Sequence, residues 1–95
     1  MTVNNNLVSV VYSDMELRNL VEEFLAQQKG AFVSKSVCSY ILYWAMEDGR
    51  VNTSKCELIK GFEMIESDKM RLKGVLESFV RDGRITVSGD IYSKQ

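Results

Sequence analysis

The side chains that carry most enzyme chemistry are absent from this sequence or badly spaced. None of its 95 residues is a histidine, which removes Ser-His and Cys-His nucleophilic pairs and imidazole metal ligands. No glycine-rich phosphate-binding loop occurs. Acidic neighbours such as Glu22-Glu23 and Glu47-Asp48 lie on predicted helices, where adjacent side chains point in different directions. The sequence therefore predicts a protein that is not an enzyme and uses no cofactor.

The cysteines and the clustered aromatic residues are interpreted as structural. Cys38 and Cys56 lie inside helical patterns and form no C-x-x-C pair, so neither a disulfide framework nor a zinc site is expected. Buried thiols of this kind fit a reducing, cytoplasmic compartment. Tyr40 and Trp44 share a helix face with aliphatic residues, which favours core packing over a ligand cage.

Basic side chains concentrate in one segment of the C-terminal half. Lys69, Arg71 and Lys73 fall within about one helical turn. Residues 55–95 hold eight Lys+Arg against seven Asp+Glu, whereas residues 1–54 hold four against six. Such side chains bind nucleic-acid phosphates, although a net charge of −1 argues against indiscriminate coating of nucleic acid. The segment is a candidate contact for DNA, or else a solubilising surface.

A strand and two helices are predicted in the N-terminal half. Residues 7–12 are β-branched and aromatic enough for a strand. The capping-box spacing of Ser13 and Glu16 begins a helix that Gly30 ends. A second helix begins near Ser34 or Ser36 and ends before Gly49.

Two further helices and a hairpin are predicted after residue 52. Ser54-Lys-Cys-Glu57 repeats the capping-box spacing and begins a helix that runs out near Met64-Ile65. Ser67 or Asp68 is expected to cap another helix, which stops at Asp82-Gly83. Two β-rich runs then flank Ser88-Gly89-Asp90, a hairpin signal.

We expect one domain with one core, because the chain is at the small end of the single-domain range. Residues 1–33 would form an extension to a core domain of residues 34–95. The residues expected to be mostly buried are Leu20, Phe24, Ile41, Trp44, Leu58, Leu76 and Phe79. No apolar run approaches the roughly 20 residues that cross a bilayer, and no signal peptide is recognised. Association with membranes is therefore not expected.

The order of helices and hairpin in residues 35–94 resembles the winged helix-turn-helix superfamily. The pattern that carries this resemblance is Val75-Leu76-x-x-Phe79-Val80-x-x-Gly83-x-Ile85, similar to the family's passage from recognition helix into wing. The resemblance implies an α+β fold, a winged helix-turn-helix with an additional N-terminal strand and helix. Its parts would be a first helix at 35–48, a small strand at 50–52, a second helix at 53–64, a recognition helix at 67–82 and a wing at 84–94.

This resemblance implies a small sequence-specific DNA-binding regulator of transcription or replication. It would insert the helix at 67–82 into the major groove of double-stranded DNA. The residues expected at the DNA are Ser67, Lys69, Met70, Arg71, Lys73, Gly74, Arg84 and Lys94. Glycine in mid-helix costs about 1 kcal/mol relative to alanine, which close approach of another backbone to Gly74 would offset.

Two alternatives remain open. The wing tip, Ser88-Gly89-Asp90, carries an acid and no base, which favours a winged-helix adaptor that binds a protein. Residues 7–48 also resemble dimeric ribbon-helix-helix repressors, whose second helix, here led by Ser34-Lys-Ser36, binds phosphate at its N-terminus. Against this second resemblance, residues 7–12 lack the basic and amide side chains that such ribbons use to read bases.

A homodimer is also expected, through the N-terminal strand or the first helix. A lone strand exposes unpaired edge groups that a two-fold mate can satisfy.

The surface charge should distinguish DNA binding from protein binding. A single basic face around Lys69, Arg71, Lys73 and Arg84 would favour DNA, and an evenly mixed surface would favour a protein partner.

Overall fold

The computed structural model describes residues 7–51 and 63–94. The elements in these ranges are, in chain order, β1 (Leu7–Val8), α1 (Asp14–Gln27), β2 (Phe32–Val33), α2 (Ser34–Glu47), β3 (Glu63–Met64), α3 (Glu66–Arg81), β4 (Ile85–Ser88) and β5 (Ile91–Lys94). Three helices and five strands in the described residues confirm the expected mixed α+β architecture.

Helix α1 begins at the predicted capping box. The Ser13 Oγ accepts from the Glu16 N–H at 3.1 Å, and the Glu16 Oε1 accepts from the Ser13 N–H at 2.8 Å. The residues that α1 buries recur at three- and four-residue intervals: Leu17, Val21, Phe24 and Leu25. The helix is capped by Gln28 in an extended conformation, so Gly30, with φ of 84°, turns the chain toward β2 and does not end the helix.

Helix α2 follows β2 directly and buries one face in the core. Its buried residues are Val37, Ile41, Leu42 and Ala45. Trp44 was expected in this set but is 37% exposed, with its ring edge-on to those of Tyr40 and Tyr43. The expectation for Trp44 is therefore wrong. The face that α2 buries is turned toward Leu42, and Trp44 lies at its exposed margin, where a ring this large is rarely covered completely.

The predicted helix at 53–64 is wrong at its C-terminal end. Glu63 and Met64 form β3, which pairs in parallel with β1. The rest of that predicted helix, with its cap at Ser54 and its core residue Leu58, lies outside the described residues. The homodimer remains a prediction, but β1 already has a strand partner within the chain, which removes the reason for placing a dimer contact there.

Helix α3 begins without the side-chain cap that was predicted. Ile65 is its N-cap residue, and neither Ser67 nor Asp68 caps it. The Asp68 carboxylate is 5% exposed and accepts instead from the Val10 N–H at 2.9 Å. The apolar residues that α3 buries are Leu72, Leu76 and Phe79.

Strands β4 and β5 form the predicted hairpin around a two-residue turn, Gly89-Asp90. Gly89 has φ of 62° and Asp90 has no positive φ, as in a type II′ turn. Strand β2 pairs antiparallel with β5, so the sheet order is β2-β5-β4. The strand that completes this sheet therefore precedes α2 and is not the one predicted at 50–52, where Val51 forms an isolated bridge with Val10.

In residues 7–51 and 63–94, one hydrophobic core joins the helices to one face of the hairpin sheet. The predicted core residues Phe24, Ile41, Leu76 and Phe79 are buried, and Leu20 is half-buried against them. Residues of the N-terminal segment belong to the same core: Val8, Val10 and Tyr12. In the described part of the chain, no helix has the length and apolar character needed to cross a membrane.

Candidate nucleic-acid interface

A cavity of about 430 Å³ lies where α2, α3 and the hairpin turn meet. Lys69 and Lys73 border it from α3, Ser34 from the first turn of α2, and Gly89 from the hairpin turn. Three elements that are distant in sequence thus converge on one surface. Two of the predicted DNA-contact lysines are part of it.

The first turn of α2 presents backbone N–H groups that no side chain caps. The N-cap residue, Val33, makes no side-chain hydrogen bond, and the first turn contains no acid. Ser34, Lys35 and Ser36 are exposed there. Free N–H groups and the helix dipole favour anions at such an end. The sequence shows these residues, but only the tertiary structure brings them beside Lys69.

Helix α3 turns a narrow stripe of residues to solvent, here called the α3 stripe. Its members are Glu66, Ser67, Met70, Lys73, Gly74, Glu77 and Arg81. Met70 is 67% exposed. A Cβ added to Gly74 would meet nothing within 4 Å, so the expected close approach of another backbone does not occur among the described residues. The stripe carries two acids and two bases and is therefore electrically balanced.

Arg71 lies outside the α3 stripe and binds the N-terminal segment. Its Nη2 donates to the Tyr12 carbonyl at 2.6 Å and to Asp14 Oδ1 at 3.0 Å, and its Nη1 donates to Asp68 Oδ1 at 3.2 Å. The hydrogen bond to Asp14 is the main cause that raises the pKa of the Arg71 guanidinium. Arg71 is thus a clamp between the start of α1 and α3, and its donors are already in use.

Asp68 is the buried acid of this clamp. Besides Arg71, it accepts from the Val10 N–H at 2.9 Å and from the Ser9 Oγ at 3.2 Å. A buried carboxylate is costly unless it is paired and hydrogen-bonded. Donors from three residues offset that cost, and together they fix the N-terminal segment against α3.

The two basic residues at the ends of the hairpin also make intramolecular contacts. Arg84 donates to both oxygens of the Glu22 carboxylate, at 2.6 and 2.5 Å, and its guanidinium lies 4.7 Å from the Phe79 ring centroid. This bidentate pair lowers the pKa of Glu22. Lys94 Nζ donates to the Gln28 carbonyl at 3.2 Å. Both side chains connect the hairpin to α1 or its cap.

The two lysines at the cavity are held less tightly. Lys69 Nζ lies 3.4 Å from Glu63 Oε1 in an ion pair whose side chains are 39% and 59% exposed. An exposed pair of this kind contributes about 0–1 kcal/mol, so it holds the Lys69 side chain only weakly. Lys73 makes no ion pair with another described residue. Glu66 and Asp90 also border the cavity, so the surface is mixed in sign. The single basic face expected of a DNA-binding surface does not form around Lys69, Arg71, Lys73 and Arg84, and this result favours the protein-binding alternative.

The described residues contain no group of three cysteine, aspartate or glutamate side chains that could hold a metal ion. No protein-family model, curated protein or solved structure matches the chain.

Proposed function

We propose that this chain is a winged-helix domain that binds double-stranded DNA through α3, the first turn of α2 and the hairpin turn. The sheet order β2-β5-β4 supports this topology, because a short strand between two helices joins the hairpin that follows the third helix. On this proposal α1 and α2 are the first and second helices, in place of the segments expected at 35–48 and 53–64, because β2 between α1 and α2 pairs with the hairpin strand β5. Helix α3 is still the recognition helix, and β4 with β5 is still the wing. Residues 48–65, which include β3, make the α2–α3 connection longer than the usual turn of three or four residues.

One observation carries the DNA-binding proposal: Lys69, Lys73 and the uncapped first turn of α2 border one cavity. Lysines and helix N-termini are the groups with which proteins hold duplex phosphates. Met70 and Gly74 on the α3 stripe then face base edges. Arg71, Arg84 and Lys94 stabilise the fold and do not touch DNA.

The small number of cations sets the expected strength of binding. Lys35, Lys69 and Lys73 are the lysines of this surface, with Glu66 and Asp90 as nearby acids. Three phosphate contacts correspond to a slope of log affinity against log salt of about −3. Binding should therefore be weak at physiological salt unless base contacts add to it.

The test is to replace Lys69 and Lys73 together with alanine and measure binding to random duplex across a salt series. We expect weaker binding and a slope flatter by about two units, one for each lost phosphate contact. Lys29→Ala is the matched control, because Lys29 is an exposed lysine outside this surface and its loss should change neither quantity. Circular dichroism checks that each variant folds. Unchanged affinity and slope in the double variant would remove α3 from the DNA contact.

A second candidate is a protein-binding adaptor built on the same scaffold. The balanced charge of the α3 stripe and the acid in the hairpin turn favour it, because phosphates would be repelled by both glutamates and by Asp90. This function predicts no duplex binding even at low salt. The ribbon-helix-helix alternative has less support, since β1 pairs with β3 of the same chain.

A further inference from the structure

The α3 stripe has a charge order that complements itself when it is reversed. From the N-terminus it runs acid at Glu66, base at Lys73, acid at Glu77 and base at Arg81. If two α3 helices pack antiparallel about a two-fold axis at Gly74, position 73 lies level with position 75 of the second copy, and position 66 with position 82. Glu77 is then offset from Lys73 by about 3 Å along the axis, and Arg81 from Glu66 by about 1.5 Å. These long side chains span such offsets, and symmetry repeats each pair.

Within the described residues, these four charges are available to a partner molecule. None of the four makes an ion pair with another described residue, whereas four of the arginines in the same ranges do. Opposite charges that are exposed in a fixed order along one helix can set the orientation of a partner helix.

The glycine at the centre of the stripe gives a second, independent reason. A Cβ added at Gly74 would meet no atom of the described residues within 4 Å, so the fold itself does not require a glycine there, although glycine in mid-helix weakens the helix. The absence of a side chain lets another helix approach closely. Beside it, between α1 and α3, lies a groove of about 420 Å³ lined in part by Met15, Met70 and Val75. With Met70 at 67% and Met15 at 73% exposure, this groove has the apolar lining that a second Met70 side chain would fill.

We propose that the α3 stripe binds a second copy of this chain, α3 against α3 and antiparallel, with Gly74 at the two-fold axis. The contact is one helix wide and smaller than the roughly 1,600 Å² of a standard interface, so association is weak. The stripe is also the side of α3 assigned to DNA, so self-association and duplex binding exclude each other. The proposal itself depends on the stripe and not on DNA binding.

Charge reversal tests the register directly. Lys73→Glu and Glu77→Lys, each alone, replace two attractive pairs with two repulsive ones, and each should weaken self-association by about tenfold or more. An equimolar mixture of the two variants should restore it, because the acid introduced at position 73 faces the base introduced at position 77. Sedimentation velocity measures self-association in a series of protein concentrations up to about 1 mM. With a dissociation constant of about 1 mM, a large fraction of the protein is dimeric at the highest concentration.

The matched controls are Lys29→Glu and Glu23→Lys, reversals of exposed side chains outside the stripe, which should self-associate like the unchanged protein. The proposal is overturned if the unchanged protein is monomeric throughout the series. It is also overturned if the single variants associate normally or if their mixture stays monomeric. Recovery in the mixture shows in addition that both variants are folded.

Discussion

Arginine and lysine have different tasks in this protein. The arginines that bind carboxylates in the described residues are Arg18, Arg50, Arg71 and Arg84. Among the lysines of the described residues, only Lys69 makes an ion pair, and its N–O distance of 3.4 Å is long. A planar guanidinium can satisfy several acceptors at once, whereas an ammonium is a compact, well-hydrated charge. Counting both as basic therefore overestimates the charge that the segment 69–73 offers to a ligand.

Replacing Arg71 with lysine should destabilise the protein. A lysine cannot reach Asp14, Asp68 and the Tyr12 carbonyl together, so a buried acceptor is left unsatisfied at a cost of about 1–3 kcal/mol. The measurement is the free energy of unfolding in urea. Arg81→Lys, at an exposed position without an ion pair to described residues, is the control and should have little effect. Equal stability of Arg71→Lys and the unchanged protein would show that the clamp contributes nothing.

Gly74→Ala should have the opposite effect. An added Cβ meets no atom within 4 Å and φ is not positive there, so alanine should raise the free energy of unfolding by up to about 1 kcal/mol. Gly83→Ala is the contrasting control, because its φ of 78° disfavours any residue with a Cβ. Thermal unfolding of both variants measures the difference. A loss of stability in Gly74→Ala would mean that the glycine is needed within the monomer.

At the scale of elements, two signals confined to a few neighbouring residues predicted the structure correctly, whereas Gly30 as the end of α1 and Ser67 or Asp68 as the cap of α3 were wrong. The capping box at Ser13 begins α1, and Gly89 occupies the turn of the hairpin. Strands β2 and β3 were missed because each is two residues long, too short for an alternating pattern to show. The strand predicted at 7–12 is also only two residues long, Leu7–Val8, and was found because its apolar run continues beyond it. Each of these strands is defined by the strand with which it pairs. Asp68 was mistaken for a helix cap for a similar reason, because its hydrogen-bond donors Ser9 and Val10 are distant in the sequence.

The start of α1 gives a prediction about pH. The hydrogen bond from the Ser13 N–H, followed by that from Arg50, lowers the pKa of Glu16 from its usual value of 4.5. Because the folded pKa is the lower one, the carboxylate adds stability above the unfolded value, and that stability is lost as pH falls through the folded pKa. The free energy of unfolding should therefore begin to fall as the pH drops below about 5, toward the unfolded pKa, and should fall further as the pH passes the lower, folded pKa.

Glu16→Gln should reduce this pH dependence, since glutamine can still accept from Ser13 but carries no charge. Urea unfolding at several pH values is the measurement. Glu23→Gln, at an exposed position of α1, should leave the pH dependence as it is. An identical decline in Glu16→Gln and the unchanged protein would exclude Glu16 as a source of acid sensitivity.

At the scale of the whole molecule, the N-terminal segment of residues 7–12 is part of the core and not an addition to it. Val8 and Val10 are each 3% exposed, and the segment binds β3, Val51 and the Asp68–Arg71 clamp. Lys69 and Lys73 could be selected as candidate site residues from the sequence because they cluster locally. It could not predict that the first turn of α2 lies beside them, because that placement depends on how β2 joins the hairpin sheet.

The contact between Val10 and Asp68 also constrains the order of events as the chain is made. These residues are 58 positions apart, and β1 pairs with β3 at a similar separation. Contacts between distant residues form slowly, because a long loop must close before they contribute. Residues 7–10 are made before residue 68, so they leave the ribosome before the partners that bury Val8 and Val10 in the folded chain. This segment can therefore reach its native contacts only after residue 68 has been added.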